Sequence, residues 1–177
     1  MMQSDALMNK KIQIIPVAET TPTLDKELRD WFRDQFGRVA YRWAEPDYYG
    51  ILSVDEQLAG RLAVFDRQIS AGGVIVKVGG IGGVATKPQF RHQGIASALL
   101  SRAAEFMKND LGAEFGFLLC RPEVSPVYAK LGWTRVDGPT TFSQPSGIET
   151  YPYYTMILRL TGREWPPGPI DMMGLPW

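Results

Sequence analysis

Apolar residues recur along this chain with two different periods, and the changes between them mark out its elements. Residues 11–17 alternate, which predicts a first strand closed by Pro16 and the Thr20-Thr21-Pro22 turn. Thr23 is a candidate N-cap for a helix reaching Phe36, with Asp25 and Glu27 in its first turn and Gly37 ending it. Leu24, Leu28, Trp31, Phe32 and Gln35 or Phe36 would form its inner stripe. An irregular aromatic and charged stretch follows over 38–47. Strands are expected at 49–54 and 58–69, joined by the tight Asp55-Glu56-Gln57 turn, and Ser70-Ala71-Gly72-Gly73 leads into a Gly-punctuated strand at 74–86. Ile95, Ala98, Leu99, Ala103 and Phe106 then repeat at helical spacing over 94–108. The continuous apolar run 113–120 suits a strand buried on both faces. Ser125 and Pro126 read as the N-cap and first residue of a short helix ending at Leu131, with Gly132 as its C-cap. Strands at 133–136 and 151–160 complete the set, separated by a Pro/Ser/Gly loop. The order β-α-β-β-β-α-β-α-β-β predicts an α/β fold with a mixed sheet, because hairpins and crossovers both occur.

Composition narrows the class. At 177 residues the chain is expected to form one domain, with a Pro-rich tail over 161–177 that keeps Trp165, Ile170, Met172, Met173, Leu175 and Trp177. Hydrophobic residues make up 45% and charged residues 21%, an ordinary globular balance. A formal net charge of zero argues against nucleic-acid binding through a broad basic surface. Cys120 is the single cysteine, so no intrachain disulfide forms and a reducing compartment is the simplest assumption. Residues 1–11 make a poor signal peptide and no run reaches 18 apolar residues, so a cytoplasmic protein without membrane contact is expected. The apolar tail is expected to close over the functional site or to dock on a second copy of the chain in a homodimer, with a disordered tail the alternative that its two tryptophans disfavour.

The chemistry concentrates where the Gly-rich strand turns into the central helix. Arg91, His92, Gln93, Gly94, Ile95 and Ala96 lie across a predicted helix N-terminus, where backbone N–H groups lack intrahelical partners and the helix dipole is positive. Gly94 lets a bulky ligand approach the main chain, and Arg91 adds a charge able to pair with phosphate. Gly80-Ile81-Gly82-Gly83-Val84-Ala85, with Glu105 about twenty residues on, also satisfies the dinucleotide fingerprint. That fingerprint needs a helix among the glycines, whereas Val84-Ala85-Thr86 stays extended and Pro88 follows. The glycines are better explained by a strand that a ligand or another backbone approaches closely. Cys120 sits in a buried strand with no His placed to activate it, so packing explains it. With one His and one Cys, neither a catalytic triad nor a His/Cys metal cluster can be assembled, and no metal is expected.

Arg91-x-x-Gly94-x-Ala96 between strand and helix resembles the acetyl-CoA pyrophosphate loop of the GNAT N-acetyltransferase superfamily. Phe117-Leu118-Leu119-Cys120-Arg121 followed by Ser125-Pro126-Val127-Tyr128-Ala129-Lys130-Leu131-Gly132-Trp133 resembles a second block of that superfamily. The resemblance implies a mixed, mostly antiparallel sheet flanked by helices. It also implies that Val84, Ala85 and Thr86 pair with the pantetheine arm like an added strand, and that Tyr128 protonates the departing CoA thiolate. Expelling a thiolate asks for such a donor at sulfur.

A narrower likeness, to aminoglycoside 2'-N-acetyltransferases, rests on the aromatic region before the second strand and the Gly-rich Val78-to-Ala85 strand. Tyr128-Ala129-x-x-Gly132-Trp133 followed by Gly138-Pro139-Thr140, and Pro169-Ile170-Asp171 with a closing Trp, add to it. In that family acidic groups gather the polyamine and the terminal Trp carboxylate takes part, which nominates Glu45, Asp47, Glu149, Asp171 and Trp177 for substrate contact, with Leu119 at the strand end. One departure stands out: the family carries a Glu, proposed as the base, where this chain has Gly82. The expectation is an acetyl-CoA-dependent N-acetyltransferase moving an acetyl group to a primary amine of a small molecule. A catalytically weak acyl-CoA sensor is the alternative that the missing Glu opens, and an aminoglycoside 2'-N-acetyltransferase is the alternative within the enzyme class.

Overall fold

The computed structural model of the chain describes residues 8–37 and 41–177; residues 38–40 of the expected irregular stretch lie outside them. Three helices and ten strands follow in the order β1 (Lys10–Pro16), α1 (Pro22–Phe36), β2 (Tyr48–Val54), β3 (Gln57–Ala71), β4 (Val74–Thr86), α2 (Ile95–Asn109), β5 (Phe115–Cys120), α3 (Ser125–Ala129), β6 (Thr134–Val136), β7 (Thr140–Gln144), β8 (Gly147–Thr150), β9 (Tyr154–Arg159) and β10 (Ile170–Asp171).

All ten strands join one sheet, in the order β6-β9-β5-β4-β3-β10-β7-β8, with β2 on the other part of β3 and β1 beyond it. The sheet forks because β3 is long: residues 57–64 pair with β2, while Ser70 and Ala71 pair with β10. The β4–β5 and β10–β7 pairings are parallel and the others antiparallel, so the mixed, mostly antiparallel architecture expected from the sequence is the one observed. Asp55 and Glu56 (φ 46° and 66°) turn β2 into β3, and Gly72 and Gly73 (φ 55° and 80°) turn β3 into β4. Two successive positive φ angles give the turn whose twist matches a hairpin.

Side-chain alternation divides the core. Leu52, Val54, Leu62 and Val64 face α2, whose buried stripe is Ile95, Leu99, Leu100, Ala103 and Met107. Ala98 and Phe106, expected within that stripe, lie at its margin, partly buried. On the opposite face Tyr49 and Ile51 meet Leu28 of α1, and Phe65, Phe115 and Phe117 meet the tail through Met172 and Trp177.

Several expectations need correction. The N-cap of α1 is Thr21, whose Oγ1 accepts from the Leu24 N–H at 3.3 Å, because Pro22 takes the first helical position; Glu27 therefore falls beyond the first turn. Of the predicted inner stripe only Leu28 is fully buried, and Phe36 is exposed; Phe32 packs on Gly83 and the Arg61 guanidinium but stays half-buried because it also faces a cavity. Ser125 is not a cap: its hydroxyl donates to Pro122 O at 2.8 Å, and α3 runs only from Ser125 to Ala129. The stretch read as a Pro/Ser/Gly loop is the β7–β8 hairpin, and the tail supplies β10.

That tail is held by main chain. Gly72 N–H donates to Pro169 O at 2.8 Å, Met172 N–H to Thr141 O at 2.9 Å, and Ala44 N–H to Pro176 O at 2.8 Å. A Cβ on Gly72 would lie 2.0 Å from Pro167 O, and main chain cannot yield as a side chain can. Gly72→Ala should therefore cost roughly 2–3 kcal/mol, lowering Tm by about 5–10 °C for a domain of this size. An unchanged Tm by calorimetry would mean that the tail is not anchored at this turn.

Candidate functional site

The central feature is a parting of two strands. β4 and β5 pair only from Val78↔Phe115 to Ile81↔Leu118. Beyond that point β4 pairs with β3 alone and β5 with β9 alone. A bulge contributes: Ala63 faces Gly82 and Arg61 faces Ala85, so Leu62 opposes both Gly83 and Val84. Gly83 takes φ 57° there, and such an extra residue bends and twists its strand. The edge of residues 82–86 turned towards β5 is thus left without a strand partner among the described residues, the kind of edge to which an extended ligand adds.

At the end of β4, a short 3-10 turn (Pro88–Phe90) leads through His92 (φ 61°) and Gly94 (φ 74°) into α2. Ala98 N–H is the first to turn back, donating to Gly94 O at 3.0 Å. The amides of residues 93–97 have no main-chain partner among the described residues. Gly94 has open space where a Cβ would be. Arg91 Nε reaches Thr86 O at 3.4 Å and its side chain is exposed, while Gln93 Oε1 is buried without a partner. These features bring Val84, Ala85, Thr86 and the 91–96 loop together at one end of the cleft.

The cleft opens into a cavity of about 330 Å³ lined by Ile81, Gly82, Val84, Leu119, Cys120 and Tyr128, among others. Burial pushes the Tyr128 phenol up to about 12, with the neighbouring Cys120 thiol adding to the shift, so the phenol remains a hydrogen-bond donor at neutral pH. Burial likewise raises the Cys120 thiol to about 11, which keeps it from acting as a ready nucleophile. A second cavity of about 300 Å³ shares Phe32, Trp43, Gly82, Gly83 and Trp177 with the first, and adds Arg29, Glu45, Tyr49, Arg61 and Phe65.

Trp177 stands between the two. Its ring stacks on Phe65 (centroids 5.6 Å), meets Phe117 edge-on (5.5 Å), and its Nε1 donates to Phe117 O at 3.4 Å. The Gly-rich strand makes this possible. A Cβ on Gly80 would lie 2.3 Å from the indole, one on Gly79 would strike Met107, and one on Gly82 would lie 3.3 Å from the Trp177 main chain. The close approach read from the glycines is therefore made, at Gly79, Gly80 and Gly82, by the protein's own side chains and tail.

Only part of the nominated acidic set converges. Glu45 lines the second cavity but pairs with Arg29 at 2.8 Å. Asp47 is held by Arg67 and by the Asp66 N–H. Glu149 faces Ser146 on the β7–β8 hairpin, and Asp171 caps the Met173 N–H; neither lines either cavity. Among the described residues no group of three or more His, Cys, Asp and Glu is placed to hold a metal, and no helix is long and apolar enough to cross a membrane.

Sequence reasoning missed Arg61 and Trp43. Arg61 is 3% exposed, donates from Nη1 to Leu28 O at 2.6 Å and from Nε to Gly83 O at 3.1 Å, and lies against the Phe32 and Tyr49 rings. It was visible as the one charge in the otherwise apolar run 58–65.

A family model for the acetyltransferase (GNAT) domain matches residues 19–136, and the chain belongs to the GNAT acetyltransferase family. An aminoglycoside 2'-N-acetyltransferase from Mycolicibacterium fortuitum is 23% identical over 140 residues, covering 75% of this chain and 71% of the relative. The fold is similar to that of a GNAT family N-acetyltransferase from Escherichia coli solved in complex with CoA (TM-score 0.58, 15% identity, 97% of this chain and 94% of that one). It is also similar to a GCN5-related N-acetyltransferase from Kribbella flavida (TM-score 0.54, 20% identity, 71% of this chain), of whose length this chain spans 33%.

The raised Cys120 thiol gives a direct check. At pH 8 native Cys120 should react with iodoacetamide roughly a hundredfold more slowly than in the unfolded chain, whose thiol has the ordinary value of about 8.5. Equal rates before and after denaturation would contradict the buried, protonated state.

Proposed function

We propose that this protein is an acetyl-CoA-dependent N-acetyltransferase acting on a primary amine of a small molecule, by direct transfer in a ternary complex. The observation that carries the reading is the pairing of a parted β4–β5 cleft with partnerless amides at the start of α2. The amides of residues 93–97 and the Arg91 guanidinium suit a pyrophosphate, and the free edge of Val84, Ala85 and Thr86 suits the amide-bearing pantetheine arm. Acetyl-CoA supplies an activated acyl group on a good leaving thiolate.

The amine nitrogen forms a bond to the thioester carbon and the C–S bond breaks. The proton lost by nitrogen balances the thiolate, giving the amide and the free thiol. Tyr128 lines the cleft and donates a hydrogen bond to the sulfur as charge develops there. With its phenol near 12 and thiols near 8.5, leaving the tyrosine deprotonated is uphill by about 5 kcal/mol. Its contribution is therefore hydrogen-bond stabilisation with prompt reprotonation, aided by positioning of the two substrates. No carboxylate side chain occupies the Gly82 position, so the amine enters neutral or loses its proton through water.

Tyr128→Phe should lower kcat about a hundredfold while the Kd for CoA stays within about twofold. Arg91→Ala should show the opposite split, weakening CoA about tenfold with kcat at saturation little changed. Thiol release and calorimetry measure both. Binding of CoA with no thiol release from any amine would leave the acyl-CoA sensor as the reading.

A further inference from the structure

The second cavity carries two donors that nothing among the described residues satisfies. The Arg61 guanidinium is buried, yet no carboxylate among the described residues pairs with it. Two of its nitrogens hold main-chain carbonyls, while Nη2 makes no hydrogen bond among the described residues and lies beside Gly83, 2.8 Å from where a Cβ would stand. Trp43 Nε1 is also buried without a partner, and Trp43 lines both cavities. A buried cation and a buried N–H in the wall of one cavity both ask for acceptor oxygens.

The remaining side-chain charges do not favour a polycation. Arg29 and Arg33 are matched by Asp25, Glu45 and Asp30 at 2.8–2.9 Å. Glu45, the single acidic side chain lining either cavity among the described residues, is the one held by Arg29. The first cavity adds only Arg121 as a charged side chain. Phe32, Tyr49, Phe65 and Trp177 supply the rest of the wall. A polyamine would thus meet Arg61 with no free side-chain carboxylate to offset the repulsion.

Building on the N-acetyltransferase reading, we infer that the acceptor is a monoamine bearing a carboxylate and an apolar or aromatic body, an amino-acid-like molecule whose carboxylate is held by Arg61 and Trp43. Gly83 places that subsite next to Gly82, where the cleft opens, so the amine reaches the thioester while the carboxylate is anchored. Cavities of about 300 Å³ are in the range of small-molecule sites.

The test compares kcat/KM for L-phenylalanine against phenethylamine, and L-leucine against 3-methylbutylamine, with an aminoglycoside bearing a 2'-amine as the polycation. The amino acid of each pair should exceed its decarboxylated partner at least tenfold, with the aminoglycoside below both. Trp43→Phe, which removes the N–H donor while keeping an aromatic ring in the wall, and Arg61→Gln should collapse that ratio towards one. Since Arg61→Gln also loosens the bulge, folding is checked by circular dichroism and Trp43→Phe serves alone if it fails. A decarboxylated amine or the aminoglycoside matching the amino acid, or variants that lower both partners equally, would overturn the assignment. If no amine releases thiol, the transferase reading fails separately. The subsite then stands on a thermal shift with N-acetyl-L-phenylalanine that Trp43→Phe abolishes, and falls if that shift is absent.

Discussion

The site depends on one constraint: two parallel strands that pair over four residues and then separate. Hydrogen bonding would ordinarily zip β4 and β5 to their ends, since an unpaired buried edge is costly. The extra residue at Gly83 turns the end of β4 away, and the last two residues of β5 keep only their β9 partner on the opposite edge. What remains is a cleft with main-chain donors and acceptors on one side and the Tyr128 helix at its mouth. A helix start with partnerless amides lies at the far end. Each part alone is common; the separation aligns them.

The second dependence is on missing side-chain volume. Gly79 admits Met107 from the α2 face and Gly80 admits the Trp177 indole from the other, so the same strand is gripped from both sides. A tail with no periodicity of its own is thereby turned into a wall of the site. Aromatic stacking on Phe65 and Phe117 holds its end, and β10 ties its middle into the fork of the sheet.

The sequence was legible wherever period and turn chemistry agreed. The Asp55-Glu56 and Gly72-Gly73 turns, the Gly-rich strand and the loop before α2 were all apparent from residue order, and the GNAT resemblance rested on the last two with the Tyr128 block. β7 and β8 were hidden because Phe142 is the only strongly apolar residue in Thr140–Gln144, and buried Thr140 pairs its hydroxyl with Thr155 at 2.6 Å rather than announcing itself by hydropathy. β10 is two residues long and exists only because β3 and β7 hold it. Of the carboxylates picked for a polyamine, Glu45 lines a cavity but pairs with Arg29, Asp47 is held by Arg67, and Glu149 and Asp171 lie outside both cavities. Arg61 and Trp43 matter for what they lack, a property that no linear pattern displays.

Hydrogen exchange with and without CoA tests the central claim most directly. Saturating CoA should slow exchange of the amides of residues 93–97 and of the β4 edge at 82–86, while β7, β8 and the α1 amides stay unchanged. Binding of CoA that leaves the 93–97 amides as fast as before, or no binding at all, would contradict the account.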